Sequence, residues 1–142
     1  MVFRRSDNQY TGMAARVDDD GREFIQVEAA GALTAKTPYK IIMSGSGYIT
    51  ATLASGTTLC MYGMAEATYA TGDIAWMQIG GYAADMITPS LVGSVDQYYG
   101  LTSGVFQSIG TFTANVMAIG TEAKAAGTTN TFMLIPKWVT PT

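Results

Sequence analysis

Apolar and polar residues alternate with a period of two along much of the chain. In Tyr48-Ile49-Thr50-Ala51-Thr52-Leu53 the residues Ile49, Ala51 and Leu53 share one face and Tyr48, Thr50 and Thr52 the other. This is the pattern of a half-buried β-strand. Five further segments are apolar on both faces: Tyr39-Lys40-Ile41-Ile42-Met43, Thr57 to Tyr62, Ile74 to Ile79, Asn115 to Ile119 and Thr131 to Ile135. Two-sided apolarity in a small domain implies central strands beneath a second layer, or a face reserved for another subunit, and some of each is expected here. Weaker strand patterns run over Glu23 to Ala29, Glu66 to Ala70, Tyr82 to Ile87 and Gly104 to Gln107.

The 16 glycines interrupt the chain every few residues along most of its 142-residue length. That is the rhythm of short strands and turns in a sandwich or barrel. A helix loses about 1 kcal/mol for each Gly in place of Ala, so no long amphipathic helix is expected. The one helix-like scrap is Thr121 to Ala126, with Thr121 as N-cap and Gly127 as stop. The fold class read from this pattern is all-β: a small Gly-rich β-barrel or sandwich with an extended N-terminal arm. Residues 1–23 are charge-rich, include Arg4, Arg5, Arg16 and Asp18-Asp19-Asp20, and show no sustained period, so they read as the arm. Residues 24–142 read as a single β domain, since a chain of this length suits one core.

Charge narrows the function classes. Only 13% of residues are charged and the formal net charge is −3, against about 25% charged in an average globular protein. Between Lys40 and Lys124 there is no Lys or Arg. A phosphate-binding surface needs clustered cations, so nucleic acid is not an expected partner. Exposed strand positions rich in Thr, Ser, Gln, Tyr and Gly instead give a neutral surface, able to bond to another protein without desolvating charges. No apolar run approaches the ~20 residues of a membrane span, and Met1 to Asn8 has no apolar stretch after its arginines, so a soluble protein made in the cell interior is expected, with no membrane partner.

Candidate chemistry is sparse. There is no His and a single Cys, Cys60, which removes Cys/His zinc sites, imidazole bases, Ser-His-Asp triads and intrachain disulfides. Cys60 lies in an apolar run with no cationic neighbour, as an inert buried thiol does. Asp18-Asp19-Asp20-Gly21 lacks the ligand spacing of a calcium loop and reads as an acidic turn. Glu66 with Asp73, or Asp85 with Asp96, offers two carboxylates of the kind glycoside hydrolysis requires, but scattered acids in a Gly-rich β-domain are turn and cap residues by preference. Tyr62, Tyr69, Trp76, Tyr82, Tyr98, Tyr99 and Trp138 form the aromatic set, either core and interface packing or a sugar-stacking platform, with Tyr98-Tyr99 before Gly100 as an exposed tip. The expectation is a non-enzyme with no cofactor and no metal.

The run Ala70-Thr71-Gly72-Asp73-Ile74-Ala75-Trp76-Met77-Gln78-Ile79-Gly80-Gly81-Tyr82-Ala83 resembles a Gly-Asp, apolar-aromatic, Gln, Gly pattern of small β-barrel structural proteins of tailed bacteriophages, notably capsid decoration or cement proteins. Gly31 to Tyr39, Val92-Gly93-Ser94, Gly100 to Val105, Gly120 to Ala126 and Thr131 to Ile135 extend the resemblance over roughly residues 29 to 137. Gly93-Ser94 departs from it, where related sequences often repeat a Gly-Asp turn. The resemblance implies a virion protein on the outer surface of a phage head, often a homotrimer, with the major capsid protein as partner. The arm would then reach across a seam, with Phe3 and Tyr10 as apolar anchors and Arg4 and Arg5 as ionic ones, and Tyr98, Tyr99 and Trp138 as further capsid or subunit contacts. A tail, fibre or baseplate β-component and a carbohydrate-binding module are the alternatives.

Overall fold

A computed structural model of the chain describes residues 15–44, 47–51, 61–102, 105–110 and 116–135. The described residues form ten strands and no helix: β1 Ala15–Val17, β2 Glu23–Ala29, β3 Pro38–Ser44, β4 Gly47–Ala51, β5 Met61–Ala65, β6 Ile74–Gly93, β7 Tyr98–Thr102, β8 Val105–Ile109, β9 Val116–Gly120 and β10 Lys124–Leu134. The all-β expectation therefore holds.

The first half closes a ring of strands. β2 pairs with β4 in parallel, β4 with β3, β3 with β5, β5 with β6 and β6 back with β2, the last four antiparallel. Alternate residues of these strands fill the ring: Ile25, Val27 and Ala29 from β2, Tyr39 and Ile41 from β3, Met61 and Ala65 from β5, and Ala75, Met77 and Ile79 from β6, joined by Leu33. Because the side-chain period is two, Tyr62 and Met64 of β5 point out of this ring, and they belong to the second core instead.

That second core lies on β6 beyond Gly81 and on β10, β9, β7 and β8, paired in that order. It holds Ala83, Met86, Tyr99, Phe106, Met117, Ala118, Phe132 and Leu134. β6 is thus one 20-residue strand shared by both halves. It passes between them at Gly81, whose φ of +86° only glycine adopts freely; a Cβ there would also stand 2.9 Å from Arg22 Cα.

The second half repeats the first. The Lys36 N–H donates to Ala65 O (2.8 Å) and the Asp96 N–H to Gly120 O (3.0 Å); the Ala65 N–H donates to Thr37 O and the Gly120 N–H to Gln97 O. The Glu66 N–H donates to Trp76 O as the Thr121 N–H does to Thr131 O. Lys36 and Asp96 share a φ of +60°. The Tyr39 hydroxyl accepts the Thr34 N–H at 2.8 Å, and the Tyr99 hydroxyl accepts the Ser94 N–H at 2.9 Å. The ladders agree in register too: Tyr39 faces Gly63 as Tyr99 faces Ala118, and Met64 faces Gln78 as Ile119 faces Met133. Residues 33–39 thus correspond to 93–99, and residues 64–80 to 119–135.

Two expectations are corrected here. Residues 1–23 are not all arm, because Ala15–Val17 pairs with β2 in a hairpin. Its turn is held by the Asp18 carboxylate, which accepts the N–H groups of Asp20 (3.1 Å) and Arg22 (2.9 Å) and the Arg22 Nε–H (2.6 Å). The Arg16 guanidinium bonds to the Glu66 carboxylate and lies over the rings of Phe24 and Trp76, 4.3 and 4.5 Å from their centroids. Hydrogen bonds and cation–π contacts, rather than an apolar stripe, fix this hairpin, so periodicity does not reveal it. Residues 1–14 lie outside the described part. Thr121 to Ala126 is not helical either: the Thr121 hydroxyl donates to Thr131 O, the Glu122 carboxylate accepts the Thr131 N–H, and β10 begins at Lys124.

Partial desolvation pulls the Asp18 pKa upward, but the backbone and guanidinium hydrogen bonds of Arg22, its charge and the Asp20 N–H outweigh this and hold it below its ordinary 3.8. A folded pKa below the unfolded one contributes stability that is complete above the unfolded value and is lost as pH falls through the folded one. The hairpin should therefore be insensitive to Asp18 near neutrality and loosen in acid. An acid titration followed by amide exchange at Arg22 checks this, and Asp18→Asn should flatten the acid limb.

Candidate interaction surface

The second half carries a row of apolar residues in register across five strands. Tyr82 of β6 faces Met133 of β10, Met133 faces Ile119 of β9, Ile119 faces Tyr98 of β7, and Tyr98 faces Ile109 of β8. Tyr82 and Met133 are 52% and 42% exposed, and Ile119, Tyr98 and Ile109 are half-buried. Neighbouring strands lie about 4.8 Å apart, so the row crosses the sheet as a stripe some 20 Å long. Uncharged side chains of this size bury apolar area at roughly 25 cal/mol per Å² when covered. No carboxylate or cation stands in the row to be stripped of water.

The repeat gives this row a reference. Its counterpart in the first half runs Phe24–Gln78–Met64–Pro38, again in register. There Phe24, Gln78 and Met64 are 3%, 2% and 7% exposed, and Pro38 is buried. Arg16 covers Phe24. Beyond Gly81, β6 brings Ala83 and Met86 into the same core cluster as Met64, and the Ile87 N–H donates to Lys36 O at 2.8 Å. Lys36 Nζ also lies 3.9 Å from the Asp85 carboxylate. Equivalent rows therefore have opposite fates: one is an internal contact between halves, the other is a surface.

Among the residues expected to make contacts, Tyr98 lies in this row. Tyr99 does not. Adjacent residues on a strand point to opposite faces, and Tyr99 is fully buried, its ring 5.0 Å from Phe132 and 6.0 Å from Phe106. The exposed-tip reading of Tyr98-Tyr99 is thereby corrected: Gly100 is an interior residue of β7, not the apex of a turn. Phe3, Arg4, Arg5, Tyr10, Trp138 and Cys60 lie outside the described residues. Tyr82 belongs to the aromatic set, whereas Ile119 and Met133 are marked in the sequence only by the two-sided apolarity of 115–119 and 131–135.

The candidate acid pairs have structural roles. Glu66 is the partner of Arg16 and Asp85 of Lys36. Asp73 closes a turn by accepting the Ala70 N–H at 2.8 Å, and Asp96 occupies a left-handed turn position. The aromatic set is dispersed: Tyr62 is buried, and Tyr69 and Trp76 are half-buried with the Tyr69 hydroxyl accepting the Trp76 N–H. No group of three or more Cys, Asp or Glu side chains placed to hold a metal ion occurs among the described residues. Comparison with protein-family models and with curated proteins gives no match for this chain.

Proposed function

We propose that the protein is a structural component of a tailed-phage particle that binds the outer surface of the head shell, with the major capsid protein as its partner, and stabilises the shell. The resemblance of residues 70–83 and their flanks to capsid decoration proteins carries this reading. The chemistry of the surface supports it. The stretch from Lys40 to Lys124 has no cation between its ends, and the exposed stripe on the second half is uncharged. Such faces adhere to protein without the desolvation cost of buried charge. Many weak contacts on a symmetric shell then add through avidity. The N-terminal segment supplies further anchors at Phe3, Arg4, Arg5 and Tyr10.

The test is binding to heads assembled without this protein. Added full-length chain should saturate the shells and raise the temperature at which they release DNA. Deleting residues 1–12 should leave the isolated domain folded and weaken binding. No binding of the full-length chain would overturn the function, whereas unchanged occupancy by the shortened chain would remove the arm from it.

A further inference from the structure

One edge of β2 lies on β6, and the other is shared by two strands: β4 pairs with it at Glu28 and Ala29, and β1 at Glu23, Phe24 and Ile25. β1 has three residues, of which Val17 is 55% exposed and Ala15 and Arg16 are half-buried. So short a strand makes few ladder bonds, and its place depends on what its side chains reach. Arg16 supplies the hold. Its guanidinium carbon stands 4.3 Å from the centroid of the Phe24 ring and 4.5 Å from that of Trp76, and the guanidinium bonds to the Glu66 carboxylate. Two aromatic faces and one carboxylate are the groups that recognise a planar guanidinium, which stacks where an ammonium does not. Arg22 lies farther from Phe24, at 5.8 Å, and is tied to Asp18. Neither Trp76 nor Glu66 belongs to either buried core. The second half has no equivalent set, since Thr131 and Thr121 stand where Trp76 and Glu66 do.

We infer that the Phe24–Trp76–Glu66 cage and the β2 edge beside it form a binding site for an extended, arginine-bearing protein segment, which β1 fills in the free chain as a releasable strap. Opening the strap frees the backbone groups of residues 23–25 on that edge and empties the cage in one step. An added strand then gains its main-chain bonds from the edge and its specificity from the pocket that takes one side chain, as in recognition by β-strand addition. Both barrel cores stay closed meanwhile, because the β2–β6 ladder on the other edge is untouched. The site does not depend on binding to a shell.

Amide exchange and chemical rescue on the full chain test it. The amides of Ala15–Val17 should exchange by local opening, faster than those of Ala75, Met77 and Ile79 in the barrel. Arg16→Ala should speed the strap's exchange about tenfold, with unchanged circular dichroism. N-ethylguanidinium should then bind that variant saturably and shift the fluorescence of Trp76, read in a Trp138→Phe background that leaves one tryptophan. Methylammonium at the same ionic strength should not, and adding Glu66→Gln to the variant should weaken the binding. A capped peptide of the strap sequence, Ala-Ala-Arg-Val-Asp, should bind the Arg16→Ala chain more tightly than N-ethylguanidinium and more tightly than the same peptide with lysine for arginine. Strap amides that exchange no faster than the barrel's, equal binding of methylammonium and N-ethylguanidinium, or a peptide indifferent to the change of arginine to lysine would each overturn the inference.

Discussion

Truncating Phe132 to alanine should lower stability by about 3–5 kcal/mol, the range for deleting a large aromatic from a packed core. The ring is fully buried and makes edge-on contacts with Tyr99 and Phe106 at 5.0 and 5.2 Å, so no solvent-facing position can absorb the cavity. Such aromatic pairs add about 0.5–1.5 kcal/mol beyond their buried area. For a domain of this size the midpoint of thermal unfolding should fall by roughly 10–20 °C. Because β6 runs through both halves, the transition should remain single. Tyr99→Phe makes the contrast: it removes only the hydroxyl that accepts the Ser94 N–H and should cost about 1 kcal/mol. A Phe132→Ala loss below about 1 kcal/mol, read from denaturant unfolding, would place the ring outside the core.

Gly120→Ala should be nearly as damaging, for a different reason. A Cβ at Gly120 would stand 2.0 Å from the Ser94 carbonyl oxygen and 3.0 Å from the Tyr99 ring. Neither neighbour is the free end of a flexible chain. The Ser94–Gln97 turn would have to lift, breaking the bonds between Asp96, Gln97 and Gly120. Overpacking of this kind costs about 1–3 kcal/mol, and two hydrogen bonds add about 0.5–1.5 kcal/mol each, so a loss of about 3 kcal/mol is expected. The first half provides the control. Ala65 holds the position equivalent to Gly120, fully buried yet accommodated beneath its own turn. Ala65→Gly should therefore cost only about 1 kcal/mol. Equal losses at the two sites by thermal or denaturant unfolding would contradict the difference in clearance between the two turns.

Several strands were legible from sequence: the weaker pattern over Glu23 to Ala29 coincides with β2, and the two-sided apolar segments Tyr39 to Met43 and Asn115 to Ile119 lie within one residue of β3 and β9. The continuity of β6 was not, because Gly80-Gly81 has the composition of a turn, while in the fold Gly81 marks a bend within a ladder. Glu66 to Ala70 alternates like a strand but forms the return between β5 and β6, touching the ladder at one bridge between Leu33 and Tyr69. The repeat left little trace. Tyr39 and Tyr99, and Gly72 and Gly127, agree, but Pro38 stands against Tyr98, Ala75 against Asn130 and Met77 against Phe132. Volume and polarity have been redistributed between two cores under one backbone plan, which hides the correspondence from residue identity. The stripe on the second half was legible only in part. Two-sided apolarity pointed to a reserved face, and only the register shows that Tyr82, Met133, Ile119 and Tyr98 line up across strands.

The central claim is that this chain works by adhering to a protein shell. Electron imaging of phage heads assembled with and without it tests that most directly. The account predicts extra density of this β-fold on the outer face of the shell, absent when the chain is absent and restored on adding it back. Identical shells in the two preparations, with the protein found elsewhere on the particle or in none of it, would contradict the account.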